Sequence, residues 1–356
     1  MQPINHKPKT INHKPETLIF AALALLAFAI YYRGLAPSVA TIFDDSLEFP
    51  LVVHRLAIAH PTGYPLYILL GRLFALFNPA NIAYQLNLMS AVFGALAAGA
   101  VYLLGLRLAA PEADWTAHAG AALGALVFGT GPLFYSQATI AEVYTLNALF
   151  VAGTLLLALQ QRWAGLAFLF GLSLTHHRTM LLLVPALALF VAVAYRLPRR
   201  EGWRQVRGDV PILKTIIRFA APLLLYLYLP LRGHAGSLDG TYQNSLSGFW
   251  RHVAGGGYST FLQNNSLGNE PSLNFYVSLL KNEAGWWGLG LAVVGLAWLA
   301  GGRRWKGLAL TGPACAIYFG FNVAYAVSDI EVFFIPVFLL LALWAGLGLG
   351  AILRGL

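Results

Sequence analysis

Residues 17–35 read TLIFAALALLAFAIYYRGL, an apolar run whose one charge, Arg33, stands near its far end. About 20 apolar residues in a helix cross the roughly 30 Å hydrocarbon core of a bilayer, so this run is expected to be a first membrane span. Tyr31-Tyr32-Arg33 closes it without the small residues of a signal-peptide cleavage site, and the run is therefore expected to stay as an anchor. Further apolar stretches follow at about 82–106, 116–134, 141–160, 163–176, 178–195, 211–231, 284–300, 306–327 and 331–353. The predicted fold class is an all-α polytopic membrane protein with about ten transmembrane helices.

Composition agrees. Of 356 residues, 58% are hydrophobic and 10% charged, with a mean hydropathy of +0.66, whereas a soluble domain carries about 25% charged residues. The single cysteine, Cys315, excludes an intrachain disulfide framework and any multi-cysteine metal site.

Lys and Arg in the connecting segments orient the spans. With the tail bearing Lys7, Lys9 and Lys14 on the cytoplasmic side, alternation places 16 of the 23 basic residues inside, including the run Arg196, Arg199, Arg200, Arg204 and Arg207. Nine of the 14 acids fall outside. The formal charge of +9 thus reads as an orientation signal facing anionic lipid head groups, with no nucleic-acid partner implied. Parity holds when Tyr64–Phe77, short and carrying Arg72, is a re-entrant or interfacial helix. The predicted organisation is a disordered cytoplasmic tail at 1–16, a transmembrane module at 17–231 with a long first outer loop at 36–81, a second outer loop at 232–283, and C-terminal transmembrane helices at 284–356.

Six of the nine histidines join the acids on the outer side: His54, His60, His176, His177, His234 and His252. Ionisable groups at membrane edges are costly, and their gathering on one face suggests a site there. Asp44-Asp45-Ser46-Leu47-Glu48 follows the first span. Asp45 and Glu48 share one helix face; their composition fits a capping box opening an amphipathic helix, and a carboxylate just outside the bilayer is also what a general base needs. His60-Pro61-Thr62-Gly63-Tyr64-Pro65 reads as a rigid reversal with a histidine at its mouth. Glu142 and Tyr144 sit where two spans join outside, an acid at a helix start also being favoured by the macrodipole. His176-His177-Arg178 interrupts an apolar run, as polar junctions do at membrane binding sites. Adjacent histidines on a helix point about 100° apart, so phosphate binding by Arg178 and one imidazole is favoured over a metal. Trp250, Arg251 and Tyr258 suit sugar or lipid head-group contact, or an interfacial aromatic belt. Ser328-Asp329-Ile330-Glu331 reads as boundary charge.

Taken in order, Asp45-Ser46-Leu47-Glu48-Phe49, His60-Pro61-Thr62-Gly63-Tyr64-Pro65-Leu66-Tyr67, Asn87-Leu88-Met89-Ser90-Ala91, Ala141-Glu142-Val143-Tyr144-Thr145-Leu146, Gly171-Leu172-Ser173-Leu174 with His177, and Leu229-Pro230-Leu231-Arg232 resemble the motifs of the domain-of-unknown-function 2723 family, over about residues 15–260. That family includes the transmembrane protein 260 type of protein O-mannosyltransferase. His176-His177 stands where the family pattern has Asn-His, and Leu238-Asp239-Gly240-Thr241 where it has Trp-Gly-Asp-Pro.

The resemblance implies a C-type glycosyltransferase-like fold whose long first outer loop carries membrane-parallel helices. It implies transfer of a mannose-like hexose or other sugar from a polyprenyl-phosphate donor to a hydroxyl on a protein or glycan acceptor at the outer or lumenal membrane face, with inversion. The resemblance places it in the plasma (inner) membrane if the protein is bacterial and in the endoplasmic reticulum if it is eukaryotic. In that reading Asp45 is the base, with Glu48 and His60 beside it. His177, Arg178 and Arg232 hold the donor phosphate, and Asp44, Tyr64, Glu142, Tyr144, His176, Trp250 and Tyr258 contact substrate. No cofactor or metal is required, although the carboxylates leave room for a divalent cation, Mg or Mn. A transporter or flippase of lipid-linked sugar or small solute would instead place polar residues at mid-depth in the spans.

Overall fold

The structure is a computed structural model and describes residues 14–41, 44–110, 114–197, 199–256, 271–325 and 327–356. The described residues hold no β-strand, only an isolated parallel bridge between Ile58 and Ser237. The tail expected over 1–16 lies outside them except for the residues that open the first helix.

The chain runs α1 (Lys14–Gly34), α2 (Asp44–Arg55), α3 (Pro65–Ala75), α4 (Ile82–Ala109), α5 (Trp115–Thr130), α6 (Pro132–Ala138), α7 (Tyr144–Leu159) and α8 (Trp163–Leu174). A 3-10 turn (Arg178–Leu183) leads into α9 (Val184–Ala194), then α10 (Arg200–Asp209), α11 (Ile212–Leu223), α12 (Tyr228–Arg232) and α13 (Leu246–Val253). Last come α14 (Leu273–Gly301), α15 (Trp305–Ala324), α16 (Ile330–Phe333) and α17 (Ile335–Gly355).

Every expected apolar stretch is helical, but fewer than the expected ten helices are by themselves long enough to cross. Among the described residues six helices are long and apolar enough to span: Pro15–Gly34, α4, the continuous Ile212–Arg232, α14, α15 and α17. A seventh arises if α5 and α6, bent by 64°, form one broken span. The stretch read as continuous over 116–134 breaks because Pro132 lacks an N–H and disfavours helix at Gly131 (ψ 133). The three segments α7, α8 and Arg178–Ala194 fall short of spanning length; they surrender helix at the polar junctions 139–143 and 175–177. At 11 residues, α3 is about 16 Å long, half a bilayer. The segment expected as loop to residue 283 is helical from Leu273, with a break at Gly285 (φ 66).

Side chains cap the helices where the sequence offers them. Asn81 accepts from Tyr84 N (3.1 Å), Asp114 from Ala117 N (3.0 Å) and Ser245 from Gly248 N (3.1 Å). Glu283 reaches across from α14 to accept from the Leu133 (3.0 Å) and Phe134 (3.4 Å) amides of α6.

The centre of the bundle is α4 and α17, packed by α1, α5, α7 and α14. The periphery, α11 and most of α14, exposes apolar side chains as lipid-facing helices do. Residues assigned to one membrane side meet at one end: Arg107 with Glu16 (3.7 Å), Arg354 with Asp114 (3.2 Å), and Arg304 donating to the Ala110 carbonyl (2.7 Å). Asp45, Glu48, His60, Glu142, His176, His177 and Asp329, assigned to the other side, come together through Ser46, Tyr64 and Tyr144. α5 and α17 touch backbone to backbone, since a Cβ on Gly120 would run into the Gly346 carbonyl and one on Gly346 into that of Gly120. Such close approach is what small residues provide between membrane helices. Gly120→Leu or Gly346→Leu is expected to destabilise the bundle by about 1–3 kcal/mol or more, read as a lowered unfolding midpoint in detergent, with Gly320→Leu, which has open space, as the neutral control.

Candidate active site

The site is assembled from the interrupted segments. Asp45, Ser46 and Glu48 lie on the first turn of α2, with Ser46 buried and Asp45 and Glu48 half-buried. The chain then leaves α2, and Ile58 N donates to the Gly236 carbonyl (3.0 Å). That pairing fixes residues 57–60 and places His60 over α2. Its Nδ1 is hydrogen-bonded to Glu48 Oε2, its backbone N–H donates to Glu48 Oε1 (2.8 Å), and its Nε2 lies 3.8 Å from Asp45 Oδ1. The imidazole thus stands between the two carboxylates.

Burial alone would lower the His60 pKa, but the Glu48 hydrogen bond and the charges of Asp45, Glu48 and Asp239 outweigh it and raise the value to about 9. His60 is therefore a cation at neutral pH.

The reversal after His60 carries Gly63 at φ 85 and Tyr64 at φ 43, ψ 47. A tyrosine in the left-handed region costs about 1–2 kcal/mol. Its ring makes up for this by packing against Phe49 (5.5 Å), His60 (4.9 Å), His176 (6.3 Å) and His177 (6.3 Å). Gly63 is required twice over, because a Cβ there would meet Leu229 at 2.6 Å.

Tyr64 joins the His60 cluster to the His176-His177 pair. His176, fully buried, donates from Nε2 to the Val143 carbonyl (2.8 Å) and stacks on Tyr67 (5.9 Å). His177 Nδ1 lies 2.7 Å from Thr179 Oγ1, and its ring meets Tyr144 (5.8 Å) and Phe333 (6.0 Å). Burial pushes the His177 imidazole well down, with neighbouring His176, His60 and Arg178 adding to the effect, so it is neutral. Arg178, exposed, donates one N–H to the Ala254 carbonyl. Arg232 stands apart from this group: Nε donates to the Leu56 carbonyl (2.7 Å) and Nη2 to that of Arg55 (3.0 Å), tying down the end of α2.

The structure therefore brings together Asp45, Glu48, His60, Tyr64, His176, His177, Tyr144 and Glu142. Trp250 is exposed on α13, against Phe249 (5.1 Å). Tyr258 and the side chain of Asp44 lie outside the described residues.

Four contributors escaped the sequence. Ser46 hydrogen-bonds Glu142, and His252 donates to the Ala59 carbonyl (3.0 Å). Tyr67 stacks on His176, and Asp329, read as boundary charge, accepts from the Tyr144 hydroxyl (3.5 Å). Tyr67 belonged to a quoted motif and His252 to the outer histidines, which was the only signal either gave.

One oxygen each from Asp45 and Glu48 and one nitrogen from His60 lie within 4.8 Å of one another. A mixed O,O,N set of this size fits a divalent cation such as Mn better than Mg, which favours oxygen throughout. The ion and the imidazolium proton would exclude each other.

Because its pKa is raised, the stabilisation His60 draws from the carboxylates is complete below about pH 6.5 and is lost as pH rises through about 9. Histidine-resolved NMR of protein in detergent with chelator present is expected to show one imidazole titrating near 9, and Glu48→Gln is expected to lower that value.

The comparisons with known proteins agree in one direction. Residues 45–199 match the family model described as the protein O-mannosyl-transferase TMEM260 N-terminal domain. Protein O-mannosyl-transferase TMEM260 of Mus musculus is 31% identical over 338 residues, covering 86% of this chain and 46% of the relative. The Dictyostelium discoideum protein of the same description is 27% identical over 295 residues, covering 75% and 34%. The chain thus spans about half, or less, of the length of the curated relatives it matches. Among solved structures, ArnT from Cupriavidus metallidurans bound to undecaprenyl phosphate superposes with a TM-score of 0.68 at 13% identity, over 95% of this chain and 60% of ArnT. The archaeal oligosaccharyltransferase AglB from Archaeoglobus fulgidus, in complex with an inhibitory peptide and a dolichol-phosphate, gives 0.60 at 13% identity, over 97% and 51%. At such identity the likeness shows the fold alone, which this chain shares with ArnT and AglB.

Proposed function

We propose that this chain is an integral-membrane glycosyltransferase that moves a sugar from a polyprenyl-phosphate donor to a hydroxyl acceptor, the mannose-like hexose and the protein acceptor being suggested by the names of its relatives. The domain-of-unknown-function 2723 grouping and an active site on the outer or lumenal face belong to the same proposal. The observation that carries it is the His60 ring set between the Asp45 and Glu48 carboxylates, in a bundle whose structural neighbours were solved with undecaprenyl phosphate or dolichol-phosphate.

In this reading the Asp45 carboxylate accepts the proton of the acceptor hydroxyl as that oxygen attacks C1 of the sugar. The C1–O bond to phosphate breaks with its electron pair going to the phosphate oxygen, and inversion follows from attack on the face opposite the leaving group. His60 holds Asp45 and Glu48 at a fixed separation, so the base needs no rearrangement when the acceptor arrives. Arg178, with one N–H committed to Ala254, turns its remaining donors to the departing phosphate. His177, neutral and accepting at Nδ1 from Thr179, offers Nε2–H to the same group. Arg232 is engaged with the end of α2, so its part in this proposal is to position Asp45 and Glu48 rather than to add charge at the phosphate. Tyr64, Tyr144 and Trp250 supply aromatic surface for the sugar and lipid.

A bound divalent cation would lie between Asp45, Glu48 and His60 and would supply positive charge for the phosphate. Positively charged side chains supply the same charge, so no ion is required.

The test is transfer from a radiolabelled polyprenyl-phosphate sugar in membranes. Asp45→Asn, correctly inserted, is expected to reduce turnover by on the order of 10² or more; wild-type turnover would remove Asp45 from the reaction. Chelation is expected to leave turnover unchanged. Loss on chelation with recovery on added Mn would make the three residues ion ligands instead.

A further inference from the structure

Glu142 lies between α6 and α7 and is 1% exposed. Among the described residues no Lys, Arg or His lies within ion-pairing distance of its carboxyl, and the nearest charges are anions, Asp45 and Asp329. A buried carboxylate with no counter-charge is far costlier than a buried carboxylic acid. The hydrogen bonds point the same way. Ser46 Oγ, fully buried, lies 3.1 Å from the Ala141 carbonyl oxygen and 3.1 Å from Glu142 Oε1. A serine hydroxyl has one hydrogen. If Glu142 were ionised, that hydrogen would face two acceptors and one would go unmet. If Glu142 carries a proton, its O–H donates to Ser46 Oγ and Ser46 donates to Ala141. Every partner is then satisfied.

We infer that Glu142 is a neutral carboxylic acid whose O–H holds Ser46, and that it is a positioning residue which locks the first turn of α2, with Asp45 and Glu48, against the 139–143 junction without setting another negative charge beside Asp45. The catalytic half of this inference rests on the glycosyltransferase reading above; the protonation half does not. Burial and the Asp45 charge raise the Glu142 pKa well above the ordinary carboxyl value, in keeping with the geometry. The backbone contact between Ser90 Oγ and Glu142 (3.2 Å) anchors the same junction to α4, so the latch ties α2 to both α4 and α7.

The experiment has two readouts on full-length protein in detergent at about pH 7.5. In the infrared difference spectrum of wild type against Glu142→Gln, the expected result is loss of a protonated carboxylic acid carbonyl band, shifted in deuterium oxide and displaced by Ser46→Ala. Loss of an ionised carboxylate band instead overturns the inference. In the transfer assay, Glu142→Leu is expected to lose activity by on the order of 10² or more. Glu142→Gln, whose amide N–H can donate to Ser46 in place of the acid, is expected to recover it to within about fivefold of wild type with an unchanged pH profile. A Glu142→Gln protein that keeps the wild-type elution profile yet is as inactive as Asp45→Asn would overturn the positioning role, because it would require a negative charge at 142. A carboxylic acid band in a wild-type protein that transfers no sugar supports the neutral acid while counting against the glycosyltransferase reading.

Discussion

Two carboxylates at the edge of an apolar bundle repel each other and lose much of their hydration, and the structure meets that constraint with one imidazolium. His60 lies between Glu48 and Asp45, and much of the surrounding architecture keeps it there. Segment 57–60 is pinned by the Gly236 carbonyl, by His252 on the Ala59 carbonyl and by Tyr228, which donates to the Ala57 carbonyl at 2.7 Å. Arg232 fastens the end of α2 from the same side. The strained Tyr64 then turns the chain down into α3 and presents a ring to His60 and to the His176-His177 pair. Each of these contacts joins residues far apart in sequence.

The two acid clusters solve the charge problem differently. Asp45 and Glu48 are half-exposed and paired with a cation. Glu142 is sealed away from water and, among the described residues, has no cation within ion-pairing distance, so a proton is the least costly counter-charge. One imidazolium and one inferred carboxylic acid leave the site with a small net negative charge rather than three uncompensated anions. In the proposed transfer that balance would ease the approach of an anionic phosphate donor, which excess negative charge would repel.

The sequence expectations divide along a physical line. Asp45, Glu48, His60, Tyr64, Tyr144 and the His176-His177 pair could be picked out because each is polar or aromatic where the chain should be apolar, and a local contrast is all that a sequence displays. Ser46 passes unnoticed between two acids, and Asp329 looked like boundary charge because its partner Tyr144 is 185 residues away. Arg232 looked like a free cation for phosphate, since nothing in Leu229-Pro230-Leu231-Arg232 shows that two donors go to the end of α2. Fewer helices reach spanning length by themselves than the ten expected, for a related reason. Hydropathy registers α7, α8 and the 178–194 segment as spans, but it is blind to where the helix stops, and the stops are the junctions that carry the site.

By itself the sequence determined that this is a helical membrane protein, which segments are apolar, and that acids and histidines collect at one end. Those properties follow from transfer free energy and charge distribution, which are additive along a chain. Only the tertiary structure decided which acid meets the imidazole, which is buried without a counter-charge, and which arginine is spent on backbone carbonyls. Those outcomes depend on distances of a few ångströms between segments separated by up to about 180 residues, and electrostatics and hydrogen bonding at that range are set by packing alone.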